Sequence, residues 1–259
     1  MAHHPRSLRH EYDIFVEQEI ESYKDSVPRS ALLRLGDEAV DQLRQRNQLE
    51  FSELLIWAEV DTIIRRRLRI PTFASWRRRR LKLLQEYRRP ERWGLAADAP
   101  LVREVVAEEM PADRHVLVSG VREEGTAMFL VANGCQVTTV DNDPDLVERV
   151  INAAGQVGLT SRVRGCAVSL DQWRPDEPLN AVVCTPAAFE GLANDVRAQV
   201  IDLLKHATLD GGIHLVQTLV AGQAALSEDE LRASYVGWDI SIIRDELANR
   251  TFMARKSAA

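Results

Sequence analysis

Residues 98 to 257 alternate short apolar runs with helical segments, and this alternation limits the fold more than any other feature of the chain. Five runs are typical of buried strands: "HVLVSG", "CQVTTVD", "RVRGCAVSL", "NAVVCT" and "GGIHLVQTL". Helices are predicted between most of them, the longest over residues 188 to 206, and "WDISIIRD" and "TFMARK" predict a closing hairpin. We therefore predict an α/β fold: a doubly wound, mostly parallel sheet with a C-terminal antiparallel hairpin.

The preceding residues have the periodicity of helices instead. Ser26 and Pro28 predict one helix start, and Ser52 and Ser75 are suitable N-caps for two more. Pro90 and the glycine at 94 predict the end of the last of these helices. The chain is thus expected to contain an all-α N-terminal domain or cap at 1–97 and a sheet domain at 98–259.

Composition excludes several classes of protein. With 45% hydrophobic and 28% charged residues, the chain is typical of a water-soluble globular protein. No apolar run approaches the roughly 20 residues that cross a bilayer, and the polar start lacks the apolar core of a signal peptide, so we expect a cytoplasmic protein without membrane contacts. Three cysteines without metal-ligand spacing predict buried, reduced thiols, and the six histidines form no metal motif.

The net charge of −6 conceals a basic segment at residues 64–93, which holds twelve Arg or Lys against two Glu. Clustered cations favour phosphate-rich partners, so this segment is a candidate surface for nucleic acid or for a protein partner. Residues 1 to 60 hold twelve acids against seven Arg or Lys, which allows the segment to be neutralised within the protein. We favour the second interpretation.

Several stretches in order resemble the class I S-adenosylmethionine-dependent methyltransferases. "VLVSGVREEGTAMFLVANGCQVTTVD" resembles the family's first motif, helix and second strand, "LNAVVCT" its fourth strand, and "ATLDGGIHLVQTL" the entry to its fifth. "LSEDELRASYVGWDISIIRD" resembles the approach to the late hairpin of the small-molecule branch that includes tellurite-resistance and thiopurine methyltransferases. The resemblance implies a Rossmann-like methyltransferase fold, S-adenosylmethionine as cofactor and a small molecule as methyl acceptor.

Asp141, at the tip of the second strand, is the main candidate for binding the cofactor. An acid at this place accepts hydrogen bonds from both ribose hydroxyls in many nucleotide-binding sheets. Asp143, which precedes a proline, is the better cap for the next helix. By the resemblance, the cofactor-binding residues are Gly120, Val121, Arg122, Gly125, Asp141, Asn142, Ser169, Asp171, Cys184 and Thr185.

The first loop departs from the family's Gly-x-Gly-x-Gly pattern. Gly120 occupies the first glycine place, but Arg122 and Glu124 occupy the second and third, where side chains would fill space meant for the cofactor. Gly125 restores the turn if the loop is one residue longer. The loop therefore belongs either to a modified cofactor site that still works or to a site that no longer binds the cofactor.

Three functions are compatible with this sequence. The leading hypothesis is an S-adenosylmethionine-binding methyltransferase for a small molecule, with the N-terminal helices covering the acceptor. The alternative is an inactive methyltransferase-fold module that binds a protein or nucleic-acid partner through its Arg-rich helices, and the third is an RNA methyltransferase. His206 and His214 fall in a helix and a strand, so the sequence identifies no general base.

Overall fold

A computed structural model describes residues 7–45, 52–106, 113–120, 123–220, 223–224, 226–244 and 250–257. The chain divides into two compact units, Met1–Leu83 and Leu84–Ala259. Among the described residues, no helix is both long and apolar enough to cross a bilayer. The same residues contain no group of three His, Cys, Asp or Glu side chains placed to hold a metal.

The first unit is helical. It contains α1 (Leu8–Ser26), α2 (Arg29–Gln45), α3 (Glu53–Arg67) and most of α4 (Phe73–Tyr87). Its buried apolar cluster is formed by side chains of α1, α2 and α3: Ile20, Leu35, Ala39, Val60, Ile63 and Ile64. The Ser52 hydroxyl accepts a hydrogen bond from the Leu55 N–H and caps α3, which confirms the predicted helix start.

The second unit is built on one sheet. Its helices are α5 (Pro100–Val106), α6 (Gly125–Ala132), α7 (Pro144–Gln156), α8 (Asn194–Ala207) and α9 (Glu228–Ser234). Its strands are β1 (His115–Ser119), β2 (Gln136–Asp141), β3 (Val163–Ala167), β4 (Leu179–Cys184), β5 (Thr208–Val220), β6 (Gln223–Ala224), β7 (Trp238–Arg244) and β8 (Arg250–Lys256). All the predicted strands are present.

The strand order is β3-β2-β1-β4-β5-β8-β7, with β6 paired to β5. The first five strands of this order are parallel, and β8 and β7 continue the sheet in antiparallel pairing. Apolar side chains cover both faces of the sheet, since two separate buried clusters form around β1, β2 and β4. Burial on both faces explains why these strands are continuous apolar runs in the sequence.

Three boundaries differ from their predictions. The hydroxyl of Thr72, three residues before the predicted cap, accepts from the Ser75 N–H, so α4 begins at Phe73. The helix predicted over 188–206 begins at Asn194, because residues 186–189 form a separate 3-10 turn and Gly191 has a φ of +76°. The two compact units divide after Leu83, not at the predicted residue 97.

The units divide before the predicted boundary because residues just after Leu83 pack on the sheet unit. Leu84, Tyr87 and Trp93 pack against the buried cluster beside α6 in the sheet unit. The Arg88 side chain also donates to the carbonyl of Ala132 at the end of α6 (3.2 Å). The end of α4 and the 3-10 turn Pro90–Trp93 therefore belong to the sheet unit.

Candidate cofactor site

The residues predicted to bind a cofactor lie along one edge of the sheet. Because β1, β2, β3 and β4 are parallel, their carboxyl ends meet at the same edge. The described members of the set at this edge are Gly120, Asp141, Asn142, Ser169, Asp171, Cys184 and Thr185. Val121 and Arg122 lie outside the described residues.

Asp141 ends β2 and is partly exposed. Its Oδ1 accepts a hydrogen bond from the Asp143 N–H (2.9 Å), while its Oδ2 has no protein partner in the described part of the chain. Asp143 in turn caps α7 by accepting from the Asp145 N–H (3.0 Å), as predicted. The turn thus fixes the Asp141 carboxylate and leaves one oxygen free to accept from a ligand. Asn142 is exposed beside it.

Ser169 and Asp171 follow β3, next to Asp141 along the edge. The Ser169 hydroxyl donates to the Asp171 carboxylate, and the Ser169 carbonyl accepts from the N–H groups of Gln172 and Trp173 (3.1 and 3.2 Å). Both side chains therefore stabilise a local turn, and one carboxylate oxygen of Asp171 is already occupied.

Gly120 follows β1 with a φ of +70°, a conformation that favours glycine. A β-carbon here would lie 2.7 Å from the Cα of Ala188 and would overlap the Ala188 backbone nitrogen. Ala188 belongs to the 3-10 turn Pro186–Phe189 that follows β4. The protein's own packing is therefore sufficient to require glycine at position 120.

Thr185 joins the ends of β1 and β4. Its N–H donates to the Ser119 carbonyl (3.2 Å), and its hydroxyl donates to the Gly120 carbonyl. Cys184 pairs with Ser119 in the sheet register, but its side chain is fully buried in the core. Burial raises the pKa of the Cys184 thiol to about 12, so this thiol is neutral and apolar in character.

Gly125 is the first residue of α6 and does not have a positive φ. A β-carbon on it would overlap the carbonyl oxygen of Trp93, so a close approach of the Pro90–Trp93 turn explains this glycine. Glu124 is the N-cap residue of α6, and its side chain makes no capping hydrogen bond. Gly125 is therefore part of α6 and is not a turn residue with a positive φ.

The described histidines of the sheet unit are not placed to act as a base at this edge. His115 starts β1, and His206 lies in the last turn of α8 just before β5, so both lie at the opposite, amino-terminal edge of the parallel strands. His214 on β5 is completely buried, and its two ring nitrogens lie 2.7 Å from the hydroxyls of Thr208 and Tyr235. Burial lowers the pKa of His214 to about 3, so it is neutral near pH 7.

Sequence reasoning missed two residues whose backbones lie close to the glycines of the site: Ala188, which lies against Gly120, and Trp93, which lies against Gly125. Their approach is set by the turns Pro186–Phe189 and Pro90–Trp93. The signal that was available in both cases is a proline at the first position of a short turn. The small side chains of residues 187 and 188 also permit a close backbone approach.

The strand order identifies the fold of the sheet unit. Five parallel strands in the order 3-2-1-4-5, continued by an antiparallel pair, form the doubly wound, mostly parallel sheet with a C-terminal hairpin that the sequence predicted. The sheet unit has the class I methyltransferase fold. The predicted all-α segment is likewise present before it.

No protein-family model and no curated protein matches this sequence. Among solved structures, N-methyltransferase NodS from Bradyrhizobium japonicum WM9 is 15% identical; the match covers 63% of this chain and 100% of that one, with a TM-score of 0.49. TehB from Haemophilus influenzae is 20% identical; the match covers 60% of this chain and 62% of that one, with a TM-score of 0.48. A putative rRNA-methylase from Clostridium thermocellum is 14% identical; the match covers 63% of this chain and 99% of that one, with a TM-score of 0.48.

Proposed function

We propose that the sheet unit binds S-adenosylmethionine and transfers its methyl group to a small-molecule acceptor. The observation that carries this proposal is the Asp141 carboxylate, which the turn at Asp143 fixes at the carboxyl end of β2 with Oδ2 free. A carboxylate in this place accepts hydrogen bonds from ribose hydroxyls in open α/β sheets. NodS, which folds similarly, has also been solved with S-adenosylhomocysteine; that chain is 16% identical, with a TM-score of 0.46.

The donors and acceptors at this edge suit the nucleoside half of the cofactor. Asp141 would hold the ribose; Asn142 follows it in the chain, and Asp171 follows β3, the strand next to β2. The bound cofactor supplies an activated methyl group on a sulfonium sulfur. The residues of this chain contribute by holding the nucleoside and the acceptor in line, which is the main requirement of a methyl displacement.

The histidines restrict the acceptor that we propose. His115 and His206 lie at the far edge of the strands, and His214 is buried, neutral and hydrogen-bonded through both nitrogens. An oxygen or nitrogen nucleophile usually needs a base, whereas a thiol or another soft nucleophile needs little help. We propose an acceptor that attacks through sulfur or a heavier chalcogen, because such a nucleophile does not need a histidine base.

Thermal unfolding with S-adenosylmethionine and with S-adenosylhomocysteine tests the binding. A ligand at about 100 times its dissociation constant stabilises the folded state by roughly 2.7 kcal/mol. Asp141→Ala should remove most of this shift, because a hydrogen bond to a charged group contributes about 1.5–3 kcal/mol. Asp239→Asn is the matched control, since it changes an exposed acid on β7 at the far side of the same sheet. An Asp141→Ala protein that binds as tightly as the parent would contradict the site.

A second candidate function is a methyltransferase-fold module without cofactor that binds a macromolecular partner. The two glycines favour it, because Ala188 and Trp93 account for Gly120 and Gly125 without any ligand. Absence of a thermal shift at millimolar concentrations of both nucleosides, in a protein that unfolds cooperatively, would favour this function over methyl transfer.

A further inference from the structure

A cavity of about 680 Å³ in the helical unit lies between the C-terminal turns of α3 and the start of α4. Four arginines line it, Arg65, Arg66 and Arg69 from the α3 side and Arg79 from α4. No acidic side chain is among its lining residues. We call this cavity the arginine pocket.

The spacing of the residues brings them to the pocket from two helix faces. Positions 62, 65, 66 and 69 recur every three or four residues along the end of α3, and positions 72, 75 and 79 do so along α4. All four arginine side chains are exposed. The pocket therefore has convergent cations that solvent and ligands can reach.

Two neighbouring arginines outside the pocket, Arg67 and Arg80, are paired with carboxylates, whereas the four arginines within it have no carboxylate partner among the described residues. Arg67 forms an ion pair with Glu38, and Arg80 forms one with Glu11 (3.2 Å). In the pocket, Arg65 donates to the hydroxyl of Tyr12, and Arg66 donates to the amide oxygen of Gln42 (3.3 Å), both of which are uncharged.

The guanidinium groups of Arg69 and Arg79 have no hydrogen bond or ion pair with the described residues. The four charges of the arginine pocket therefore lack carboxylate partners in the part of the chain that the structure describes. The internal neutralisation that the sequence favoured applies to Arg67 and Arg80 and does not extend to this pocket.

Arg69 occupies a strained backbone position. It follows α3 with a φ of +53°, where its N–H donates to the Arg66 carbonyl and the next N–H, of Ile70, donates to the Arg65 carbonyl. This is a Schellman motif, in which glycine is the usual residue. A non-glycine residue in this conformation is strained, and such strain is common at binding sites.

The start of α4 adds two further features that favour an anion. The N-terminus of this 15-residue helix is the positive end of its dipole, and Thr72 and Ser75 from that turn line the pocket. The Thr72 oxygen accepts from the Ser75 N–H (3.4 Å), which leaves both hydroxyl hydrogens without an acceptor among the described residues. Hydroxyl donors and a helix N-terminus are suited to phosphate oxygens.

We propose that the arginine pocket binds a ligand with two adjacent phosphate groups. Guanidinium groups donate two parallel hydrogen bonds to phosphate oxygens, and four of them provide enough positive charge to neutralise two adjacent phosphates. This chemistry is shared by a small diphosphate ligand and by consecutive phosphates of a nucleic-acid backbone. The proposal is independent of whether the sheet unit binds S-adenosylmethionine.

Pyrophosphate is the probe for the test, with binding to the full chain measured by calorimetry at low salt. Arg79→Gln should weaken pyrophosphate binding by roughly tenfold or more, because each arginine contributes charged hydrogen bonds. Arg69→Gly should weaken it similarly, yet raise the unfolding temperature without probe by relieving the strain. The matched controls are Arg77→Gln and Arg78→Gln, which remove exposed charges from α4 outside the pocket.

The proposal is overturned if pyrophosphate does not bind at millimolar concentration, or if the control variants weaken its binding as much as Arg79→Gln does. A short single-stranded oligonucleotide identifies the source of the phosphates. If it binds more tightly than pyrophosphate and loses affinity with Arg69→Gly and Arg79→Gln, the ligand is a nucleic-acid backbone. Weaker oligonucleotide binding, with the same dependence for pyrophosphate, assigns the pocket to a small diphosphate.

Discussion

The Cα of Ala188 lies 2.7 Å from the position that a β-carbon on Gly120 would occupy, at the carboxyl ends of two adjacent strands. Atoms this close cannot coexist without a movement of backbone. The glycine that suggested a cofactor loop in the sequence therefore has a packing role in the folded chain. This leaves Asp141 as the residue on which the cofactor proposal depends.

Gly120→Ala should destabilise the sheet unit by more than 2 kcal/mol, the sum of about 1 kcal/mol for a positive φ and a larger cost for the clash with Ala188. The control is Gly211→Ala, since Gly211 has a φ of +75° but nothing within 4 Å of its β-carbon position. Urea unfolding of both variants separates the two costs. Equal losses would show that Ala188 moves aside easily.

Thr185→Val should lower the free energy of unfolding by about 0.5–1.5 kcal/mol, the usual net contribution of one hydrogen bond. The variant keeps the shape of the side chain but removes the hydroxyl that donates to the Gly120 carbonyl. Thr185→Ser retains the donor and should recover most of the loss. If serine is no better than valine in urea unfolding, the hydroxyl does not hold these strand ends together.

Stability should depend on pH through His214. Its pKa is lowered from the ordinary 6.5 to about 3 by burial, with smaller contributions from Lys205 and Lys256. Between these values the unfolded chain binds a proton that the folded chain does not, so acid favours unfolding. The stability that His214 contributes is complete above pH 6.5 and falls as the pH drops towards 3, with a slope of up to about 1.4 kcal/mol per pH unit.

Urea unfolding at pH 7.5, 6.5 and 5.5 measures this slope against His214→Gln, which cannot titrate. The Thr208 hydroxyl already donates to the Leu204 carbonyl (2.7 Å), so it must accept from the His214 Nε2–H. The variant should be less stable at pH 7.5 but should lose less stability on acidification. Parallel pH profiles for the two proteins would show that His214 is not the group that titrates.

The three cysteines should differ in reactivity. Cys135 and Cys184 are buried, and burial raises the pKa of their thiols to about 11 and about 12, whereas the Cys166 side chain is partly exposed. Because the thiolate is the reactive form, a thiol reagent should label Cys166 first in the native protein and the other two only on unfolding. If this order is correct, Cys166→Ser removes the fast phase of labelling by the thiol reagent.

The sequence predicts β1, β2 and β4 well because each is an apolar run that is buried on both faces of the sheet, and Asp141 was correctly expected at the tip of β2 because it ends such a run. The cap of α4 was misplaced because Thr72 and Ser75 are both good cap residues three positions apart. A glycine indicates that something lies close to the backbone, but not whether a ligand or the chain itself does so. Only the tertiary structure identifies Ala188 and Trp93.

The pairing of the arginines is beyond sequence reasoning for a similar reason. The numbers of acidic and basic residues along the chain allow the arginines to be neutralised. The ion-pair partner of each arginine, however, depends on which helix faces pack together. Arg67 contacts Glu38 because α2 and α3 pack together, while Arg69, two residues later, is past the end of the helix and points elsewhere. Charge balance in a sequence therefore does not predict charge balance at a particular surface.

The packing of Leu84, Tyr87 and Trp93 on the sheet unit determines where the chain can be divided. A fragment cut at residue 98 would lose the cover of its own apolar cluster and the carbonyl that Gly125 is shaped to accommodate. Such a fragment should expose hydrophobic surface and aggregate, whereas one that starts before Leu84 retains what the sheet needs. The last turn of α4 therefore covers part of the sheet unit's apolar cluster, although the same helix begins in the helical unit.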